Sequence, residues 1–228
     1  MSRGGLVVIE CSLTVEELKD YVMRQMQNFF PDGRTCKNEP CFNSAFDLAL
    51  ERTEKCFSHI SLTGYSKNGQ TYFNHLHMDQ YGTFLYYLSN SLYRILKENN
   101  WMSDKLILLN RTLLGCWVSY KCELPDIFCW FHPVGTVLGN AKYSDYLVVG
   151  QNVTMETGEG QIGECVALFA GVTLIGKCLI GNECAIGAGV VLRKSVVPDN
   201  HNVFCKDGVN CMQKSQKCIA KSFFKMPK

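Results

Sequence analysis

Residues 162–197 read IGECVALFAGVTLIGKCLIGNECAIGAGVVLRKSVV, and their period decides the fold. Every sixth residue is aliphatic: Ile162, Leu168, Leu174, Ile180, Ile186 and Leu192. Four residues after each comes a small apolar one: Val166, Val172, Cys178, Cys184, Val190 and Val196. Glycine follows several of the aliphatics, as in Ile162-Gly163, Ile180-Gly181 and Ile186-Gly187. A period of six matches neither a helix nor an ordinary half-buried strand. It is the pattern of a hexapeptide-repeat parallel β-helix, in which each hexad makes one flat face of a triangular coil. The aliphatic residue points into the prism, the small one fills the corner, and coils pair backbone to backbone along the axis. The alternative, short ordinary strands joined by glycine turns, leaves the full set of matching inward positions to chance.

Upstream, the same phase is visible at Val149 and Met155 and then slips by one residue before Ile162. The slip falls in ETGEGQ, residues 156–161, a polar stretch that reads as a loop ejected from the prism. Downstream, the repeat ends at Pro198 and leaves a basic tail, 199–228, with Phe223 and Phe224 near its end. The tail is expected to pack back on the helices or on another subunit.

The first half reads as helical. Residues 14–30 form one helix, with Thr14 and Glu17 as a capping box and Pro31-Asp32-Gly33 as the stop. A second spans 43–60, and residues 64–69 read as a polar turn. A third, apolar helix spans 79–98 with Phe84, Leu88, Leu92 and Ile95 as its core stripe. A fourth spans 103–118 with Ser103 as its cap. Pro125 bars any helix through CELPD at 122–126. The division is a helical N-terminal domain at 1–120, a β-helix at 121–200 and a C-terminal tail at 201–228, so the fold class is α+β.

Composition restricts the function. The chain has 228 residues, 46% hydrophobic and 19% charged, with a net charge of +2 and no basic stripe. That argues against nucleic acid as a partner. No apolar run reaches the length of a membrane span, and residues 1–13 lack the organisation of a signal peptide. Thirteen cysteines, with no CxxC, suggest a reducing cytoplasm rather than a disulfide framework. Cys178 and Cys184 act as small apolar fillers.

Residues 122–200 carry CELP, HPVGTVLG, QNVT, IGECVALFAGVTLIG, IGNECAIGAGVVL and VVPDN in that order. The chain resembles the serine acetyltransferase family of left-handed β-helix acyltransferases. The resemblance implies acetyl-CoA as co-substrate, no metal, and a homotrimer that can double into a dimer of trimers. It makes His132 the general base that takes the acceptor hydroxyl's proton, a task suited to a group titrating near neutrality. An acidic partner fixes the tautomer of that histidine, and Glu123 and Asp126 are the two candidates. It sets the pantetheine arm of CoA between neighbouring prisms, over Ala170, Gly171, Gly187 and Ala188, with Lys194 toward a phosphate.

Two departures bear on the acceptor. The family's Arg-His pair for the amino-acid acceptor is replaced by Gly158-Glu159-Gly160-Gln161, and its aspartate before the histidine is Phe131. A serine acceptor loses its cation and its anion, so a neutral hydroxyl on a sugar is the expected acceptor. Serine O-acetylation is the alternative enzyme reading, and a non-catalytic hexapeptide scaffold the alternative outside enzymes. Asp79, in HLHMD at 75–79, is expected to contact the acceptor. The i, i+2 spacing of His75 and His77 does not put them on one helical face to bind a metal.

Overall fold

The computed structural model describes residues 9–156 and 158–226. Residues 1–8, to which most of the signal-peptide reading refers, and Thr157 of the ejected loop lie outside them. Four helices come first: α1 (Val15–Phe29), α2 (Pro40–Ser58), α3 (Met78–Leu96) and α4 (Trp101–Leu114). The capping box on α1 is present, with Thr14 accepting from the Glu17 N–H and Glu17 reaching back to the Thr14 N–H. α2 starts three residues earlier than the sequence suggests because Pro40 occupies its first turn, where a missing N–H costs nothing. The cap of α4 is Asn100 rather than Ser103; its side chain accepts from the Ser103 N–H at 2.8 Å. α4 stops at Leu114, not 118, because Gly115 turns left-handed at φ +65°.

Residues 64–69 are more than a turn. Strands Ser66–Lys67 and Gln70–Phe73 form a hairpin around Asn68-Gly69, both left-handed, and Glu10–Cys11 adds a third strand.

α3 is the buried axis of the helical half, lying between α2 and α4 and against the start of the solenoid. Phe84, Leu88 and Leu92 are fully buried, each stabilising the fold by roughly 1.5–3 kcal/mol. Ile95, expected in the same stripe, is 40% exposed, since the last turn of α3 runs past its neighbours. Polar contacts fix the docking. Tyr86 donates to the Cys122 carbonyl and accepts from the Leu124 N–H, Tyr87 donates to the Asp126 carbonyl, and Asn90 to the Tyr120 carbonyl. The N-terminus of α3 is thereby held at a set position on the prism.

The rest is a left-handed parallel β-solenoid. Its first face stacks Trp117–Val118, Val137–Leu138, Thr154–Glu156, Thr173–Ile175 and Val191–Arg193. Its second face stacks Phe128–Trp130, Leu147–Val149, Ala167–Leu168, Ala185–Ile186 and His201–Lys206. The third stacks Lys142–Tyr143, Gln161–Ile162, Leu179–Ile180 and Val196–Val197. Sheet pairing therefore begins at Trp117, before residue 121, and runs beyond 200.

The hexad positions are buried from Ile162 to Leu192, Cys178 and Cys184 among them. Val196 is the exception. It is 62% exposed while Val197 is buried and pairs with Ile180, because the last coil is one residue short. The coil through 156–161 is one residue long instead, and its surplus lies between Thr154–Glu156 and Gln161–Ile162, where the polar slip predicts a loop.

The described part of the tail runs to residue 226. His201–Lys206 turns back as an antiparallel hairpin with Val209–Lys214, and a short 3-10 turn, Ile219–Phe223, follows. Phe223 packs edge-on against Phe131, Phe224 against Tyr146, and Phe224 bridges to Ile60. The tail thus ties the second face to the end of α2. No helix among the described residues is long and apolar enough to cross a membrane.

Candidate active site

One corner of the prism departs from its repeats. Between the second and first faces, upper coils use the same short link, as from Val149 to Met155 and from Ile186 to Leu192. The lowest coil, from Trp130 to Leu138, has two residues more. Backbone bonds locate them. The Asn152 N–H donates to the Val134 carbonyl, Gly171 to Gln151, and Gly189 to Ala170, at 2.8–2.9 Å. Val134, Gln151, Ala170 and Ala188 therefore stack in one column. Gly135, Asn152, Gly171 and Gly189 form the next, all with positive φ. The two surplus residues are His132 and Pro133. His132 is pushed out of the corner in a left-handed conformation, φ +57°, with its side chain 71% exposed.

What holds that backbone is Asp79. Its Oδ2 accepts the His132 N–H at 3.3 Å and lies 3.6 Å from His132 Nδ1. Asp79 stands in the first turn of α3, where the helix dipole favours a carboxylate, and it is buried. Burial pushes its carboxyl above the usual carboxylate range, against the His132 N–H bond and the positive charge of His132 and His77. Nδ1 is the ring nitrogen turned to Asp79.

Glu123 and Asp126 are engaged elsewhere. Glu123 accepts from Arg94, with Nε at 3.1 Å, and from Asn90 at 3.3 Å. Burial raises its carboxyl, and the Arg94 bond and charge with Asn90 outweigh this and hold it below the usual range. Asp126 accepts from Lys55 at 2.6 Å, and that bond holds its carboxyl low despite partial burial. Both line a cleft of ≈ 470 Å³ with Tyr143, Asp145 and Glu164, at the corner between the third and second faces. The structure brings Asp79 to His132, and not these two.

Of the residues expected near CoA, Ala170, Gly171, Gly187 and Ala188 share the His132 corner. A side chain at Gly187 would meet the Val203 carbonyl at 3.1 Å, so glycine there serves the close coil spacing. The N–H groups of Gln151, Ala170 and Ala188 have no hydrogen-bond partner among the described residues. At about 4.8 Å per coil, the column from Val134 to Ala188 gives a run of roughly 14 Å along the axis. Lys194 does not join it. It stands on the corner between the first and third faces, its stem beside Gly176. Val134 and Gln151, absent from the sequence-derived set, are members of the column; the QNVT motif was the available signal for Gln151.

The altered loop stands on that other corner too. Gly158, Glu159, Gly160 and Gln161 line a cleft of ≈ 520 Å³ with Asn140, Lys142 and Lys177, and Lys177 faces Glu159 at 4.0 Å. Within one chain this loop and His132 lie on different edges of the triangle.

No family model matches the sequence, and no curated protein matches it. Solved structures do match the fold. A serine acetyltransferase isoform from Entamoeba histolytica, in complex with cysteine, superposes with a TM-score of 0.61 at 17% identity, over 84% of this chain and 71% of that one. The enzyme from Neisseria gonorrhoeae gives 0.59 at 15% identity, over 92% and 94%. A serine acetyltransferase in complex with CoA gives 0.56 at 12%, over 83% and 93%. The fold is that of the serine acetyltransferases: N-terminal helices followed by a left-handed β-helix.

Proposed function

We propose that the protein is an acetyl-CoA-dependent O-acetyltransferase whose acceptor is a small neutral hydroxyl compound, a sugar or polysaccharide precursor. The observation that carries the reading is the His132 corner. An exposed imidazole is held by a buried carboxylate at the foot of a column in which the N–H groups of Gln151, Ala170 and Ala188 have no partner among the described residues. The described structural neighbours are serine acetyltransferases, one of them a CoA complex, which supports the donor.

In this reading His132 takes the acceptor's hydroxyl proton on Nε2 while Asp79 keeps Nδ1 protonated and offsets the imidazolium charge. The acceptor oxygen attacks the thioester carbonyl, the tetrahedral intermediate collapses, and the leaving CoA sulfur recovers the proton from His132. Positioning and one base suffice, because the thioester is already activated. The free N–H groups of Gln151, Ala170 and Ala188 are suited to the amides of the pantetheine arm, and Lys194 of a neighbouring prism to a CoA phosphate.

Asp79 replaces Glu123 and Asp126 as the partner acid, because those two are bound to Arg94 and Lys55. The two-edge separation of His132 and the 158–161 loop supports a homotrimer, in which one protomer's corner meets another's loop. Glu159 and Gln161 in place of the cation and imidazole favour a neutral acceptor over serine.

A thiol-release assay with acetyl-CoA tests this. Sugars should give turnover and L-serine should remain poor at millimolar concentration. Serine turnover equal to the best sugar would restore the serine reading. Absence of a thermal shift with acetyl-CoA and of turnover with any acceptor would favour a scaffold.

A further inference from the structure

Outside the His132 corner, one pair of side chains is set for covalent chemistry. Cys218, at the start of the 3-10 turn in the tail, and Cys165, on the corner between the third and second faces, meet across 53 residues of sequence. The Cys218 sulfur is 3.3 Å from the Cys165 sulfur and 3.2 Å from the Cys165 carbonyl oxygen. Cys165 is left-handed at φ +59°, as are Tyr146, Glu183 and Asn200 in the same column, so this corner accepts side chains of quite different kinds. The turn itself therefore gives no reason for a cysteine at this position. Cys165 is buried and Cys218 partly exposed, so one sulfur can be reached from solvent and the other sits behind it. Lys221 and Glu183 pair beside them at 2.6 Å and hold the tail segment in place.

We propose that Cys165 and Cys218 are a redox-active dithiol that closes to a disulfide by exchange with a low-molecular-weight disulfide, stapling the tail to the solenoid. Cys218 attacks one sulfur of the disulfide RSSR, forming a mixed disulfide and releasing RS⁻. The Cys165 sulfur then attacks the Cys218 sulfur and expels the second RS⁻. The two protein thiol protons end on two RSH, and the two electrons of the protein dithiol reduce RSSR. The order of attack follows exposure. The contact with Cys165, together with the Lys221 and Ala220 N–H groups, also holds the Cys218 thiol below the usual range against partial burial and the Glu183 charge. Closure needs the sulfurs to approach from 3.3 Å to about 2.05 Å. The staple would fix Phe223 on Phe131, the residue before His132.

The test uses the full chain, with oxidised glutathione as the probe and peptide mapping without reductant. Wild type should yield one cross-link joining the Cys165 and Cys218 peptides, with two fewer thiols per denatured chain. Trypsin cleavage after Lys217 and Lys221 should slow at least tenfold. Cys165→Ser should accumulate a stable glutathione adduct on Cys218, the intermediate with no resolving thiol. The proposal is overturned if glutathione stays on wild-type Cys218, if other cysteines cross-link first, or if both thiols survive conditions that oxidise Cys205 and Cys211.

Discussion

Asp79→Asn separates the two ways a buried carboxylate can matter. Asparagine keeps an oxygen for the His132 N–H and removes the negative charge 3.6 Å from Nδ1. At that distance a charge pair is worth about 1 kcal/mol in water and about 4–5 kcal/mol at an effective dielectric of 20. The His132 side chain is 71% exposed, which puts the loss in the lower half, roughly 1–3 kcal/mol. That is about a tenfold to hundredfold fall in turnover. Stability should move the other way. Asp79's folded pKa is raised, so its burial destabilises the protein once pH rises above that pKa and costs nothing below the unfolded value. The variant should therefore melt higher than wild type at neutral pH and lose this advantage near pH 3. Thiol-release kinetics from pH 5 to 9, with thermal melts, give both readings. Near-normal turnover, with the loss appearing in Glu123→Gln instead, would refute the assignment of the partner acid.

Ala188→Trp should raise the Michaelis constant for acetyl-CoA at least tenfold with the circular dichroism spectrum intact; an unchanged constant would move the donor site off this corner. Gly163→Ala should abolish soluble folded protein in an expression and circular dichroism comparison, because its Cβ would stand 2.6–2.8 Å from the Gly181 carbonyl and the Asn182 nitrogen. Val197→Ala removes about two buried methylene equivalents and should cost about 1.5–2.5 kcal/mol in urea titration, whereas exposed Val196 should cost less than half as much. Light scattering at micromolar protein should give three chains or six per particle, and a monomer would contradict the shared site.

The solenoid was legible because the inward positions of residues 162–192 obey steric rules that repeat every hexad: Val or Cys fills each corner, and Leu or Ile points into the prism. Val196 was misplaced because the last coil drops a residue that the repeat cannot announce. The hairpin at Asn68-Gly69 carried a turn signal, but its strands are too short to show alternation. His132 was legible as a residue through its resemblance, while its insertion into the corner was not, since the phase is not visible before Val149. Glu123 and Asp126 are close to His132 in sequence, yet their coil carries them to another corner. Asp79 reaches His132 only because α3 docks on the prism through Tyr86, Tyr87 and Asn90, a tertiary arrangement without local signature.

The most direct measurement is turnover of acetyl-CoA with the best acceptor of the panel, wild type against His132→Asn, at saturating donor. The variant should lose on the order of a hundredfold or more in turnover, with unchanged acetyl-CoA affinity and an unchanged spectrum, because other residues hold the thioester. Near wild-type turnover in the folded variant would remove His132 from the chemistry and, with it, the reading of this corner as the active site.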